Sequence, residues 1–460
     1  MSGHFLTSDR DAPMLMSPSL QDWLPPKHLA RFVVEAVEQL DLRAIEESYT
    51  GRGERAYRPK MLVALLFYGY ATGVFSSRKI EGACLDIISF RYIAANTSPD
   101  HDTIADFRKR VLPDLPSIFL QVLLIAKELG FLSVGQISLD GSKIKANASK
   151  HHAYSYKHAG KIKAKLRREV ARLLKLAEKA DNEPVPDLDI PAEIARRESL
   201  IASIDKARAT IEAREAERHA AVKAQHAERL AQRREQQRRT GKKPKGPRPK
   251  APKLCVEPTA QVNLTDEESR IMPTADGFIQ GYNAQAAVTM GSQFVVSTGV
   301  TQATNDKQQL APVLERLQAL PAALGAVTAI AADAGYYSEA NVQACADAGV
   351  TPYLAMRREA HHTWLAAQLR KVDPEPGADA TAVEQMAHRL QTKEGRDLYA
   401  KRKSTVETVF AIVKSAMRFR TFLLRGLEKV SGEWTLVCTA YNLKHLHALV
   451  AAFPNTAEVA

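Results

Sequence analysis

The sequence predicts an α/β domain that follows a helical domain and is interrupted, after its first strand, by a long basic helical hairpin. Three observations carry this reading. Up to about residue 130, apolar residues recur at helical spacing. From Ile137 the pattern changes to short apolar runs, the first ending on an acid, Asp140, in "ISLDGSKIKANASK". Between the first run and the next, His151 to Lys253 holds 27 Lys and Arg against 14 Asp and Glu, while the rest of the chain holds 37 against 38.

A chain of 460 residues has room for two to four domains. Its 45 % hydrophobic and 25 % charged residues are the proportions of a globular protein and not of a disordered one. "MSGHFLTSDRDAP" lacks the apolar core of a signal peptide, and no run approaches the roughly 18 apolar residues that span a bilayer. Cys84, Cys255, Cys345 and Cys438 are scattered without CxxC spacing, which excludes a disulfide framework or structural zinc site and predicts a cytosolic protein. The net charge of +12 resides in the insert and points to a polyanion, most simply nucleic acid. A solvated coiled coil would explain its first half as well, but not Arg229–Lys253, with eleven basic residues and one acid, Glu235.

In order along the chain, "YRPKMLVALLFYGYATG" is a helix with Pro59 near its start and apolar residues all round, hence buried. "SSRKIEGACLDIISFRYIA" starts at serine caps and keeps helical spacing through Ile80, Cys84, Ile87 and Ile88. "TSPDHDTIADFRKRV" starts with Ser98 as cap and ends basic. Two helices around a turn, the second basic, fit a DNA-reading helix-turn-helix and a plain helical bundle equally. In the insert, Ile162, Leu166, Val170, Leu173 and Ala177 form one helical stripe, and Ile194, Ile201, Ile204 and Ile211 a second. The prolines and acids of "DNEPVPDLDIP" separate them, and the Pro/Lys tail "GKKPKGPRPKAPK" is expected to be disordered without an anion. Beyond it, "GYNAQAAVTMGSQFVVSTGV" makes two strands, "NDKQQLAPVLERLQAL" a helix, "AVTAIAAD" a strand ending on Asp333, "SEANVQACADAG" a helix and "VTPYLA" a strand. A polar excursion over 356–398 precedes a helix near Tyr399–Met417 with Val406, Phe410 and Val413 buried. Trp434 and Tyr441 are spaced as core residues of a final helix. "GRGER" at 51–55 lacks a phosphate-loop lysine, and the pairs His151–His152 and His361–His362 read as solvated loops, so no site is assigned to them.

Asp140 and Asp333 end apolar strands in matching contexts, "LDG" and "ADAG", and strand ends of α/β sheets are where sites form. A lone strand-end acid is ordinarily a turn residue; two alike favour function. Glu407 borders the stripe Val406, Phe410, Val413. At 100° per residue Lys403 and Lys414 fall beside it and Arg402 does not. Spacing alone leaves Glu407 equally readable as the charged flank of an amphipathic helix.

Nine stretches in order then resemble the DDE transposases of bacterial insertion sequences, in the group with the Tyr-Arg-Glu-Lys signature. They are "RPKMLVALLFYGYATGVFSSRKIE", "SPDHDTIADFRKR", "LDGSKIKANAS", "NLTDEESRIM", "QGYNAQAAV", "ATNDKQQL", "ADAGYYS", "YAKRKSTVETVFAIVK" and "CTAYNLKHL". The resemblance covers most of 57–150 and 254–446 and is thin over 156–253. It implies an RNase H-like core in which Asp140, Asp333 and Glu407 are the catalytic, metal-binding triad, and it places Tyr399, a basic residue, Glu407 and Lys414 in the signature. Tyr399, the basic residue (Arg402 or Lys403) and Lys414 are then expected to contact DNA. One departure stands out: four residues, where the family has three, separate Arg402 from Glu407, and helical geometry moves the basic role to Lys403.

The expected organisation is therefore a helical, helix-turn-helix-like DNA-binding domain over 1–130, the first part of an RNase H-like core over 131–155, the basic insertion over 156–253, the remainder of the core over 254–450 and a tail over 451–460. The expected activity is cutting and joining of the element's own ends, bound through their terminal inverted repeats, with two Mg²⁺ ions or Mn²⁺ in their place. The partners would be double-stranded DNA and further copies of the chain in a dimer or larger assembly, in the bacterial cytoplasm at the nucleoid and away from membranes. Two alternatives remain: a related nuclease that does not join strands, and an inactive DNA-binding derivative.

Overall fold

The protein is seen in a computed structural model that describes residues 19–49, 56–180, 189–242, 246–253, 255–357, 373–377 and 379–453. The stretches "GRGER", 181–188, His361–His362 and 454–460 lie outside the described residues.

The amino-terminal part is helical. Pro59–Thr72 buries ten consecutive residues, Leu62–Ala71, as its all-round apolar surface requires, and Gly73 ends it at φ 87°. The next helix breaks where the sequence pattern is continuous. Ile87 is extended (φ −115°, ψ 118°) and divides Ser77–Asp86 from Ile88–Ile93. The following helix, His101–Val111, is capped by Asp100 and not by Ser98. The cap falls just after Pro99, not before it. The Asp100 carboxylate there accepts from the backbone N–H groups of Asp102 and Thr103.

The sheet has six strands: β1 (Gln136–Lys145), β4 (Arg270–Thr274), β5 (Gly277–Thr289), β6 (Val295–Thr301), β7 (Ala329–Ala332) and β8 (Thr351–Leu354). Strands β2 (Ala153–Ser155) and β3 (Gln261–Asn263) pair separately. In the large sheet β1, β7 and β8 are parallel, and β5 runs antiparallel to β1, β4 and β6. The sequence signals every strand except β4, whose neighbours in "NLTDEESRIM" are mostly polar, and the two short pairing strands.

The final helix, Leu427–Ala452, packs Trp434 and Tyr441 into the core, both 1 % exposed. Trp434 Nε1 donates to Gln285 O at 2.9 Å, fixing the helix to β5. One hydrophobic cluster runs from Leu24 to Leu446, so the amino-terminal helices and the sheet share a core. Within it Tyr70 donates to the Glu433 carboxylate at 2.8 Å, which also accepts from the backbone of Leu423 and Leu424. Burial raises the Glu433 pKa.

Between β1 and β5 lie the helices Tyr156–Ala180 and Ile190–Thr240. They pack through Ala159, Leu166 and Ile204 and through the ion pairs Lys163–Asp205 and Arg197–Glu169, so they run antiparallel. The described part of the Pro/Lys tail, expected to be disordered, instead follows the second helix. Its carbonyls at Pro252, Pro249 and Gly246 lie against His219, His226 and Arg233.

Candidate active site

The register of two parallel strands creates the site. Leu139 of β1 pairs with Ala332 of β7, so the next residues, Asp140 and Asp333, emerge side by side where β7 ends. Asp140 does not end its own strand: β1 continues to Lys145 against β5. Only its parallel neighbour stops there, which opens the edge at Asp140. Each aspartate folds back on a glycine that follows it. Gly141 N–H donates to Asp140 Oδ1 at 2.8 Å, and Gly335 N–H donates to Asp333 Oδ1 at 2.9 Å.

A third acid, Asp306, fills the space between these two glycines, and the sequence reading did not single it out. It sits in the loop after β6, inside the matched stretch "ATNDKQQL", but without a strand-end context to mark it. Its Oδ1 accepts from Asn283 Nδ2 at 2.6 Å and Gln285 Nε2 at 2.8 Å, and its Oδ2 lies 3.6 Å from Lys143 Nζ. A Cβ placed on Gly141 would stand 2.7 Å from Asp306 Oδ1, and one on Gly335 would stand 3.7 Å from Asp306 Oδ2. Glycine at 141 leaves room for this carboxylate and for its donors, since the same Cβ would run into Gln285 Nε2 and stand 2.8 Å from Asn283 Oδ1.

Glu407 reaches the aspartates through arginine. Arg402 lies 3.1 Å from Glu407 Oε1 and 3.6 Å from Asp140 Oδ2. It is 8 % exposed, whereas Lys403 is exposed and forms no ion pair among the described residues. This corrects the sequence expectation that Lys403 stands beside Glu407. The cause is local: residues Lys403–Glu407 form a π turn between the helix Lys393–Arg402 and the α turn Thr408–Ala411. A π turn takes one more residue per hydrogen-bonded ring than an α turn. It absorbs the extra residue and returns Arg402 to the face of Glu407. A second π turn, Ile412–Ala416, carries Lys414, whose Nζ donates to Ser142 Oγ in β1. Tyr399 is buried against Ala331 and Ala355, and the Arg402 guanidinium lies 5.8 Å from its ring centre. Tyr399, Arg402, Glu407 and Lys414 thus gather where β7 ends beside the middle of β1, and Lys403 forms no ion pair among the described residues.

The electrostatics follow from this crowding. Burial, with Asp333 and Asp306 adding to it, pushes Asp140 up to about 6 against the lowering by the Gly141 N–H and Arg402. Burial also lowers Lys414, with Asp140 opposing. Beneath the acids the Tyr336 hydroxyl is kept neutral, first by burial and then by Asp306, Asp140 and Asp333; it donates to Gln285 Oε1.

Residues 245–443 match the family model described as Transposase DDE domain, and residues 18–110 match the Transposase domain (DUF772) model. The chain belongs to the DDE transposases of insertion sequences. The catalytic core of this transposase is accordingly RNase H-like, and its mixed sheet and amino-terminal helices agree with that. Asp333 and Glu407 fall inside the first match, while Asp140 lies between the two. No curated protein and no solved structure matches the chain. No helix among the described residues is long and apolar enough to cross a membrane.

DDE transposases use divalent metals such as Mg²⁺. Among the described residues no three acid, imidazole or thiol groups converge closely enough to hold one ion. The Arg402 guanidinium stands between Asp140 and Glu407. The donor set nevertheless fits a hard cation, being all oxygen. Burial is the main cause of the raised Asp140 pKa, and the neighbouring carboxylates of Asp333 and Asp306 add to it.

Proposed function

We propose that this transposase cuts and rejoins the ends of its own insertion sequence, with Asp140, Asp333 and Glu407 as catalytic residues and ligands of two Mg²⁺ ions. The observation that carries the reading is the emergence of Asp140 and Asp333 from adjacent parallel strands with Glu407 tied to Asp140 through Arg402. The bound ions would supply Lewis acidity to the scissile phosphate. In the first step water attacks phosphorus, the 3′-oxygen leaves and takes up a proton, and no covalent enzyme intermediate forms. In the second the freed 3′-hydroxyl attacks a target phosphodiester, whose own 3′-oxygen leaves.

The chain's side chains act around that centre. Arg402 and Lys414, both beside Asp140, hold phosphates next to the scissile bond, and Tyr399 shapes the platform beneath Arg402. Lys403, exposed and without an ion pair among the described residues, is left a peripheral DNA contact. The amino-terminal helices, 1–130, bind the terminal inverted repeats, and processing of two ends calls for a dimer or larger assembly. The insertion, 156–253, interrupts a core made of 131–155 and 254–450. The protein would work in the bacterial cytoplasm, at the nucleoid.

The test uses a supercoiled plasmid carrying the gene with its native flanks, incubated with protein and Mg²⁺ or Mn²⁺, and strand ends are mapped. Breaks at an inverted-repeat boundary, followed by joined products and absent for Asp140→Ala, are the expected result. Scattered metal-dependent nicks without joining would replace the reading by a plain nuclease.

A further inference from the structure

The second insert helix changes character along its 51 residues. Its first half has apolar partners: Ile204 packs on Ala159 and Leu166, and Ala207 and Ile211 pack on Val262. Beyond Ile211 no residue of this helix belongs to any hydrophobic cluster, and Val222 is 43 % exposed. From Arg214 to Thr240 is about 40 Å of helix at 1.5 Å per residue. Its surface is held by polar contacts alone.

Those contacts have a regular geometry. His219 Nε2 lies 3.3 Å from Pro252 O, His226 Nε2 lies 3.1 Å from Pro249 O, and Arg233 Nη2 donates to Gly246 O at 2.9 Å. Seven residues on the helix, about 10.5 Å, therefore match three on the returning chain, about 3.5 Å each, which is nearly full extension. Prolines at 247, 249 and 252 suit such a strand, since they favour extended backbone and bring no N–H group that would need a partner. The return covers the stripe of residues 219, 226 and 233. It leaves Arg229, Arg234, Arg238 and Arg239 exposed on the rest of the helix, and Arg248, Lys250 and Lys253 exposed on itself.

Like charges so concentrated repel one another, and no buried apolar residue offsets that repulsion. We propose that the distal half of Ile190–Thr240 and the returning segment 246–253 form an arm that binds the phosphate backbone of double-stranded DNA, independently of sequence. This rests on the transposase reading for its partner but assigns the contact to a different surface. Clustered bases that far outnumber the one nearby acid, Glu235, suit phosphates, which arginines grip through paired N–H groups. A second protein chain fits less well, because the arm lacks the apolar and aromatic anchors that dominate protein interfaces.

The test is binding of the full-length chain to a random-sequence duplex, without metal, followed by fluorescence anisotropy across a NaCl titration. The triple variant R234Q/R238Q/R239Q is compared with R167Q/R172Q/K175Q, which removes the same charge from exposed positions on Tyr156–Ala180. Each lost phosphate contact lowers the slope of log K against log salt by about 0.9. The arm variant should therefore lose a slope of about 2–3 and bind roughly a hundredfold more weakly at 0.15 M salt, while the other triple changes little. Unchanged binding by the arm variant, or equal loss in both, overturns the proposal. So does competition by poly-glutamate as strong as that by DNA of equal charge, which would indicate an acidic protein partner. All these positions are solvent-exposed, so melting temperatures should be the same for all three proteins. Random-duplex binding is independent of end cleavage: a chain that binds through the arm yet cuts no element ends would fail the transposase reading alone.

Discussion

The strand-end site and the basic arm are the two most charged regions of the molecule, and they handle charge in opposite ways. At the sheet edge, acids and bases alternate within ion-pairing distance: Asp306 with Lys143, Asp140 and Glu407 with Arg402. Each is fixed by a strand, a glycine or a π turn. On the arm, eleven bases face one acid between Arg229 and Lys253, and only the helix and its extended partner organise them. Geometry does the work in the first region and quantity in the second. Single substitutions should therefore be severe and specific at the sheet edge, small and additive on the arm.

The largest contrast is expected at Asp140. Asp140→Ala or Asp333→Ala should reduce strand cleavage to background in a plasmid assay while duplex binding through the arm persists; loss of both together would break the distinction. Next comes Arg402→Ala, with a drop of about 10–100-fold in cleavage, the range for a residue that orients ligands, against less than about twofold for Lys403→Ala. Arg402→Lys should not restore activity, since a single ammonium cannot bridge two carboxylates as a guanidinium does. If Lys403→Ala were the more damaging, the role given to the π turn would be wrong. Asp306→Asn should cost about tenfold in cleavage, at the lower end of the same range, by loosening the contact between the two glycine turns; single-turnover cleavage would show it. The smallest effects separate two glycines. Gly141→Ala forces a methyl group against Gln285, Asp306 and Asn283 and should lower stability by about 1–3 kcal/mol, seen as a lower melting temperature. Gly241→Ala has open space around it and only its φ of 64° to oppose it. Its cost of about 1–2 kcal/mol should fray the arm and leave the main transition unmoved.

What the sequence reveals, and what it hides, follows the same division. Strand positions, the paired aspartates and the buried Trp434 and Tyr441 are legible because each depends on local patterning. The Ser338 cap is legible for the same reason: its side chain accepts from Asn341 N–H as the sequence suggests. The Arg402 contact is hidden because a helical wheel assumes 100° per residue throughout, and the π turn at Lys403–Glu407 breaks that assumption just before the acid. Asp306 is hidden because a loop acid carries no periodicity; only the Asn283 and Gln285 side chains from β5 mark its place. The folded-back Pro/Lys segment is hidden because its partners are histidines and arginine a full helix turn or more apart. Composition registers its charge but not those contacts.

The bond between Tyr70 and Glu433 joins residues 363 positions apart. At the roughly 5–20 residues per second of protein synthesis, the first leaves the ribosome about twenty seconds to more than a minute before the second exists. Through that interval the helix Pro59–Thr72 has made its apolar surface but lacks the final helix that covers it. The nascent chain must carry this exposed face, which makes the final helix, Leu427–Ala452, the step that completes the core. A transcript cut short near its end would yield not a smaller enzyme but an aggregation-prone one.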